Sequence, residues 1–411
     1  MVCAPPPGPQ YTGVNQRDCT HRRRRQQVAR RKKSYRFPWR EGNSFRLLDD
    51  GGRFFPAMLD AIEHARHSTI LEMYLFQSGA VATRFVNALV RAAHRGVQVQ
   101  VLLDGFGARK LNRRDQQHLT SAGVQLAFYN PLKWRKLYRN LLRDHRKLLA
   151  VDGTRAFVGG VGITDMFDPR TAGPHHWHDT VVEISGPCVA DWVALFADNW
   201  RRWAGAPPLE ASPDQPATIG TGRGRVTFTT GWPYTEIKRS YLNRMRSARE
   251  RIWLVTAYFV PARKLRRALR RAAEAGVDVR LLLPGTHTDH PAVRHAGRRF
   301  YTRLLSHGVR IFEYQPSFLH SKALLCDHWA SIGSSNGDRW NLRWNLEGNQ
   351  EVADRAFTDQ VQAMIEADFE QAREITYGEW RRRPWYLRFA ERFWGGVDRW
   401  LEKRPQRSLE D

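Results

Sequence analysis

His145, Lys147 and Asp152 stand at the spacing H-x-K-x4-D, and His320, Lys322 and Asp327 repeat that spacing in the second half of the chain. Each is followed by glycine: Gly159-Gly160 after the first, Gly333-Ser334 and then Asn336 after the second. A pattern this particular, met twice, asks for two copies of one structural unit. The surrounding sequence repeats in the same order. Apolar residues 69–76 read as a buried strand and are matched by 251–259. A helix over 82–95, stopped by Gly96, is matched by one over 264–275, stopped by Gly276. Strands over 97–103 and 277–283 follow. The run 121–131, with glycine in third place and proline last, is matched by 306–316. Strand–helix–strand alternation, duplicated, predicts an α/β chain of two tandem halves, each a mixed sheet flanked by helices.

The residue types suit phosphodiester chemistry. His and Lys two apart on a strand point to one face, and apolar residues 148–151 and 323–326 read as the buried strands that carry them. A glycine after the strand lets a phosphate come close to the backbone. Ser334 and Asn336 can hydrogen-bond phosphoryl oxygens, and two lysines can neutralise them. Two histidines supply a nucleophile and an acid/base for a two-step exchange. Asp152 and Asp327 complete the motifs and are counted with the catalytic residues, although they are read as holding the strand ends rather than acting on substrate.

The duplicated motif resembles that of the phospholipase D superfamily. Gly-Gly after the first copy and Gly-Ser-Ser-Asn after the second resemble, within it, the bacterial cardiolipin synthases of the peripheral type. The resemblance covers roughly residues 45–375. It implies that the halves pack with pseudo-two-fold symmetry and that both motifs meet in one site. The implied reaction moves a phosphatidyl group from one phosphatidylglycerol to a histidine and then to a second phosphatidylglycerol, giving cardiolipin and glycerol. His145 is assigned as nucleophile and His320 as acid/base, with the reverse left open by the pseudo-symmetry. A carboxylate downstream of each motif orients a histidine in this superfamily. The matches here are Asp179, in Trp177-His178-Asp179, and Glu347, in Asn345-Leu346-Glu347. No metal and no cofactor are implied, so His175, His176 and His178 are read as loop histidines at the mouth of the site. One departure concerns position 162, which is Gly where the superfamily often has Asn; Thr164 is the candidate to compensate. Hydrolysis by a phospholipase D and cleavage of nucleic acid by a related nuclease are the alternative readings.

Charge sets the partners. A formal net charge of +25 and a pI of about 10.6 favour anionic partners, a phospholipid membrane or nucleic acid. Aromatic residues in the C-terminal stretch favour the membrane. There Trp385, Phe389 and Phe393 are spaced by four with arginines between them, as in an interfacial helix. No run of about 18 apolar residues occurs, so no transmembrane helix is expected. Cys3, Cys19, Cys188 and Cys326 fit no zinc spacing and are read as reduced thiols. The expected location is peripheral, on the cytoplasmic side of the bacterial inner membrane. The expected divisions are a disordered basic tail over 1–43, halves over 44–204 and 225–377, a linker over 205–224, and a basic aromatic tail over 378–411. An insertion over 132–144 in the first half is read as a lip that meets lipid head groups.

Overall fold

The computed structural model describes residues 35–133, 140–209, 218–231, 234–336 and 344–384. Nearly all of the basic tail, the tip of the insertion, the middle of the linker and the aromatic stretch from Trp385 lie outside the described residues. The chain divides into a short unit, Met1–Arg36, and a body, Phe37–Asp411, which carries both motifs.

The first half runs β1 (Arg40–Asp49), α1 (Gly51–Glu63), β2 (Ser68–Met73), α2 (Ala80–His94), β3 (Gln98–Asp104), α3 (Arg113–Ser121), β4 (Gln125–Tyr129), β5 (Lys147–Val151), β6 (Arg155–Gly159), β7 (Thr180–Ser185) and α4 (Cys188–Trp203). The second runs β8 (Gly222–Gly231), β9 (Tyr234–Thr235), α5 (Glu236–Ser247), β10 (Arg251–Val255), α6 (Arg263–Glu274), β11 (Asp278–Pro284), α7 (Pro291–Arg298), β12 (Arg310–Tyr314), β13 (Ala323–Cys326), β14 (Trp329–Gly333), β15 (Leu346–Val352), α8 (Arg355–Glu370) and β16 (Ala372–Ile375). The duplication expected from the sequence is present down to its turns. Gly96, Gly123, Gly276 and Gly308 all take φ between 84° and 88°, the left-handed conformation that closes a helix and that glycine adopts without strain.

The strand order is β4-β3-β2-β5-β6-β7-β1 in one half and β12-β11-β10-β13-β14-β15-β8 in the other, with β16 added beside β12. In each half three strands are parallel and the rest antiparallel, so both are mixed. The two halves form one continuous sheet, because β1 pairs with β8 at Arg40↔Gly224 and Asn43↔Gly222. Strand β1 therefore begins inside the segment read as tail. Its polar start is held by Arg40 on Asp191 at 2.8 Å and by the Asn43 side chain on the carbonyls of Arg40 and Gly222.

Three cores arise from this order. Helices α1 and α2 lay Phe54, Phe55, Phe85 and Leu89 on the outer face of the first half. Helices α5 and α6 do the same for the second half with Tyr241 and Leu269. Between the halves lies a third core, where Trp192 and Trp200 of α4 meet Phe228, Trp253 and Leu325. The indole of Trp192 donates to Gln350 of β15 at 2.9 Å. Truncating a fully buried aromatic of this kind typically costs about 3–5 kcal/mol, so the halves are fixed relative to each other. That rigidity positions the site between them.

Candidate active site

The two motif strands dock crosswise. The His145 N–H donates to the carbonyl of Leu346 at 2.9 Å, and the Leu346 N–H donates to Arg143. In the other half the His320 N–H donates to the carbonyl of His178 at 2.7 Å, and the His178 N–H donates to Phe318. Each motif is thus zipped to the segment that carries the other half's carboxylate. His145 Nδ1 lies 3.1 Å from Glu347, and His320 Nδ1 lies 2.6 Å from Asp179. Lys147 Nζ donates to the His145 carbonyl at 2.6 Å, and Lys322 Nζ donates to that of His320. Lys322 Nζ is also 4.0 Å from Asp179. Both carboxylates are fully buried, whereas the histidine side chains are 12 % and 10 % exposed.

A carboxylate can only accept, so each Nδ1 carries the proton and each Nε2 presents a lone pair. Burial pushes both imidazoles toward the neutral form, His320 down to about 3, with Lys322 reinforcing the effect and Asp179 opposing it. Burial likewise lowers Lys147 to about 7 and Lys322 to about 8. Burial pushes the Asp179 carboxyl up, but Lys322 and His320 outweigh it and hold it below the usual range. The site is therefore poised for an anion, since an arriving phosphodiester favours the charged lysines. Aromatic rings shield it from water. Tyr74 stands 4.8 Å from the His145 ring and 5.2 Å from Lys147 Nζ; Phe167, Trp177 and Phe318 surround His320 at 5.3–5.6 Å.

The motif aspartates lie elsewhere. Asp152 accepts the backbone N–H groups of Arg66, His67 and Ser68; Asp327 accepts those of Arg249, Glu250 and Arg251. They pin the starts of β2 and β10, at the far ends of β5 and β13, roughly 20 Å from the histidines by strand rise. Grouping them with the reacting residues is corrected by this placement, while the strand-end reading of them agrees with it.

Ser334 also needs correction. Its hydroxyl donates to Glu347 and accepts the Gly348 N–H at 3.0 Å, so its one proton is committed to bracing the carboxylate rather than to a phosphoryl oxygen. Asn336 is fully buried, and neither end of its amide is bonded among the described residues. It remains the side chain with capacity for an added ligand. The first half differs for steric reasons. A Cβ on Gly160 would fall 2.5 Å from Asp179, and one on Gly162 would fall 2.8 Å from Leu75 Cβ. The turn at position 162 has no room for a side chain because Leu75, just after β2, closes against it. Thr164 is buried beside it.

His178 is not a mouth histidine. It is buried, stacked 5.4 Å from Tyr314, and bonded to Asp368 at 3.2 Å; burial pushes it down, but Asp368 outweighs this and raises it. His175 ends a short 3-10 turn (Gly173–His175), and His176, just after it, pairs with Asp50 at 2.7 Å. No group of three or more metal-ligating side chains occurs among the described residues. The C-terminal end of the insertion is anchored rather than free: Arg143 pairs with Asp104, and Asp144 accepts the Asn199 amide at 2.7 Å. Sequence reading did not single out Tyr74, Phe167 or Phe318. The position of Trp177 in the triplet with Asp179 was a signal for it.

A shared fold, two His-Lys pairs and one enclosed anion site define a phospholipase D-type enzyme. The family described as cardiolipin synthase, PLD-like domain, matches residues 58–192 and 241–369, and the chain belongs to it. The chain is 38 % identical over 347 residues to cardiolipin synthase A of Pseudomonas entomophila, covering 83 % of this chain and 71 % of that protein. It is 36 % identical over 356 residues to cardiolipin synthase B of Salmonella typhimurium, covering 82 % and 84 %. Among solved structures, phosphatidylserine synthase of Haemophilus influenzae shares the fold with a TM-score of 0.70 at 13 % identity, covering 92 % of this chain and 98 % of that one.

Proposed function

We propose that the chain is a cardiolipin synthase that transfers a phosphatidyl group between two phosphatidylglycerol molecules. The bound phosphodiester anion draws a proton onto His320 Nε2; His145 Nε2 then attacks phosphorus, a P–N bond forms, the P–O bond to the glycerol head group breaks, and the His320 imidazolium gives that oxygen its proton. His320 then takes the proton of a primary hydroxyl on a second phosphatidylglycerol, whose oxygen displaces His145. Cardiolipin and glycerol leave, and the enzyme is restored. Lys147, Lys322 and Asn336 stabilise the charge that builds on the pentacoordinate phosphorus, while Ser334 acts through Glu347. The observation that carries this reading is the crossed pairing of each histidine with a carboxylate of the other half. A net charge of +25 supports an anionic membrane as the surface on which the reaction runs. No helix among the described residues is long and apolar enough to cross a membrane, which supports a peripheral attachment, on the cytoplasmic side in this reading.

The test is mass spectrometry of lipids after incubating the protein with phosphatidylglycerol vesicles, beside a His320→Ala control. Cardiolipin and glycerol, absent in the control, are expected. Phosphatidic acid alone would make water the acceptor and the enzyme a hydrolase.

A further inference from the structure

The loops after β3 and β11 are equivalent in the repeat, yet they carry opposite chemistry. In the first half the loop holds Phe106, with the Arg109 guanidinium 4.7 Å over its ring, and Lys110. In the second it holds His287, Thr288, Asp289 and His290. The basic loop suits a lipid phosphate. An acid beside a phosphodiester site opposes the phosphate it must admit, so Asp289 calls for another ligand.

Asp289 is three-quarters buried and fixed on one side. Its Oδ2 accepts the Tyr258 hydroxyl at 2.6 Å, and its Oδ1 carries no hydrogen bond among the described residues. The Tyr258 ring is 6.2 Å from Phe318, which is 5.6 Å from His320. The charge of Asp289 reaches Lys322. His287, two residues earlier, stands 6.5 Å from His175 of the first half. The Asp289 carboxylate thus sits on the His320 side of the mouth, with one oxygen held and one free.

That side is where alcohols pass. If His320 is the acid/base, it protonates the departing glycerol and deprotonates the incoming one. In both steps the reacting oxygen is on a terminal CH2 and the neighbouring central carbon bears the same secondary hydroxyl, because the glycerol skeleton is symmetric about that carbon. That hydroxyl is a donor. A carboxylate only accepts, and it repels a competing anion.

We propose that Asp289, braced by Tyr258, accepts a hydrogen bond from the secondary hydroxyl of the glycerol head group and so selects a polyol as acceptor over water or a simple alcohol. The proposal rests on the transferase reading above and on His320 facing the alcohol.

The test separates the two. Full-length protein is given a phosphatidyl donor with a p-nitrophenyl head group, in vesicles that also contain phosphatidylglycerol, with 1-butanol in the buffer. Cardiolipin, phosphatidylbutanol and phosphatidic acid are counted together. The ratio of cardiolipin to phosphatidylbutanol does not depend on how much active protein survives a substitution. In Asp289→Ala that ratio should fall by about 10- to 100-fold, the factor a lost hydrogen bond to a charged group carries, with Asp289→Glu recovering part of it. A ratio equal to that of the unaltered protein would overturn the proposal, as would loss of all p-nitrophenol release in Asp289→Ala and Asp289→Asn alike. If the unaltered protein makes neither transfer product, the transferase reading fails and this one with it.

Discussion

Replacing Asp179 by Asn strikes at the crossing of the two halves. The amide keeps the shape of the carboxylate but removes its charge, 2.6 Å from His320 Nδ1 and fully buried. When His320 takes a proton, imidazolium and carboxylate are about 4 Å apart between charge centres; at an effective dielectric of about 20 they attract by about 4 kcal/mol, or roughly a thousandfold. The amide can also donate to Nδ1, which reverses the tautomer and blocks Nε2; the same change in a Ser-His-Asp triad costs about 10⁴-fold. Cardiolipin formation should therefore fall by about 10³- to 10⁴-fold. The assay that isolates the step uses the p-nitrophenyl donor, whose leaving group needs no proton. Attack by His145 then proceeds, the base for the second step is disabled, and a phosphatidyl adduct should accumulate on His145, visible by mass spectrometry after alkaline quench. Glu347→Gln disables the nucleophile instead and should give neither release nor adduct. An adduct on His320 in Glu347→Gln, with none in Asp179→Asn, would reverse the two roles. Asp179→Asn activity within tenfold of the parent would refute the importance of the pairing.

Three further outcomes are expected. Lys147 and Lys322 shed their protons near 7 and 8 rather than at the ordinary 10.5. The pH–rate profile of transfer should accordingly fall as pH climbs through about 7–8. Stability runs the other way. Between about 7 and 10.5 the unfolded chain holds protons that the folded lysines have released, so unfolding free energy rises with pH across that window. Lys147→Met should flatten the rise and lift the melting temperature near pH 6, which thermal melts across pH check. Gly160→Ala should lower turnover by about a hundredfold, the effect of misplacing a catalytic group by an ångström. Its Cβ would press on Asp179 at 2.5 Å. The melting temperature, read beside the activity, should move by no more than a few degrees.

The repeat, the strand and helix order, both His-Lys pairs and both carboxylates were legible because each is written in local sequence. Spacing along a strand fixes which side chains share a face, and left-handed glycines mark the same helix ends twice. The crossing was not legible. Asp179 and Glu347 could be picked out, but which histidine each serves depends on how the halves dock, and that is set by Trp192 and its neighbours across a core no local pattern reveals. Strand β1 hid for a related reason. Its start is polar, and it is a strand because β8, far along the chain, pairs with it. Ser334 misled because a hydroxyl beside a phosphate site reads as a ligand until the buried Glu347 beside it is seen to need a donor. His178 misled because its neighbours His175 and His176 lie at a short turn, whereas it packs under Tyr314.

The crossed pairing also bears on what a single half could ever do. A half on its own holds a histidine and a carboxylate that cannot serve each other, so it could complete a site only against a second copy. Two identical copies must then use one carboxylate, one turn and one rim loop for both histidines, and neither copy can specialise. Joining the halves in one chain lifts that constraint. Here one histidine rests on an aspartate set against a bare glycine, and the other on a glutamate braced by Ser334. The fused chain can thus dedicate one half to attack and the other to the proton, a division of labour closed to a symmetric pair.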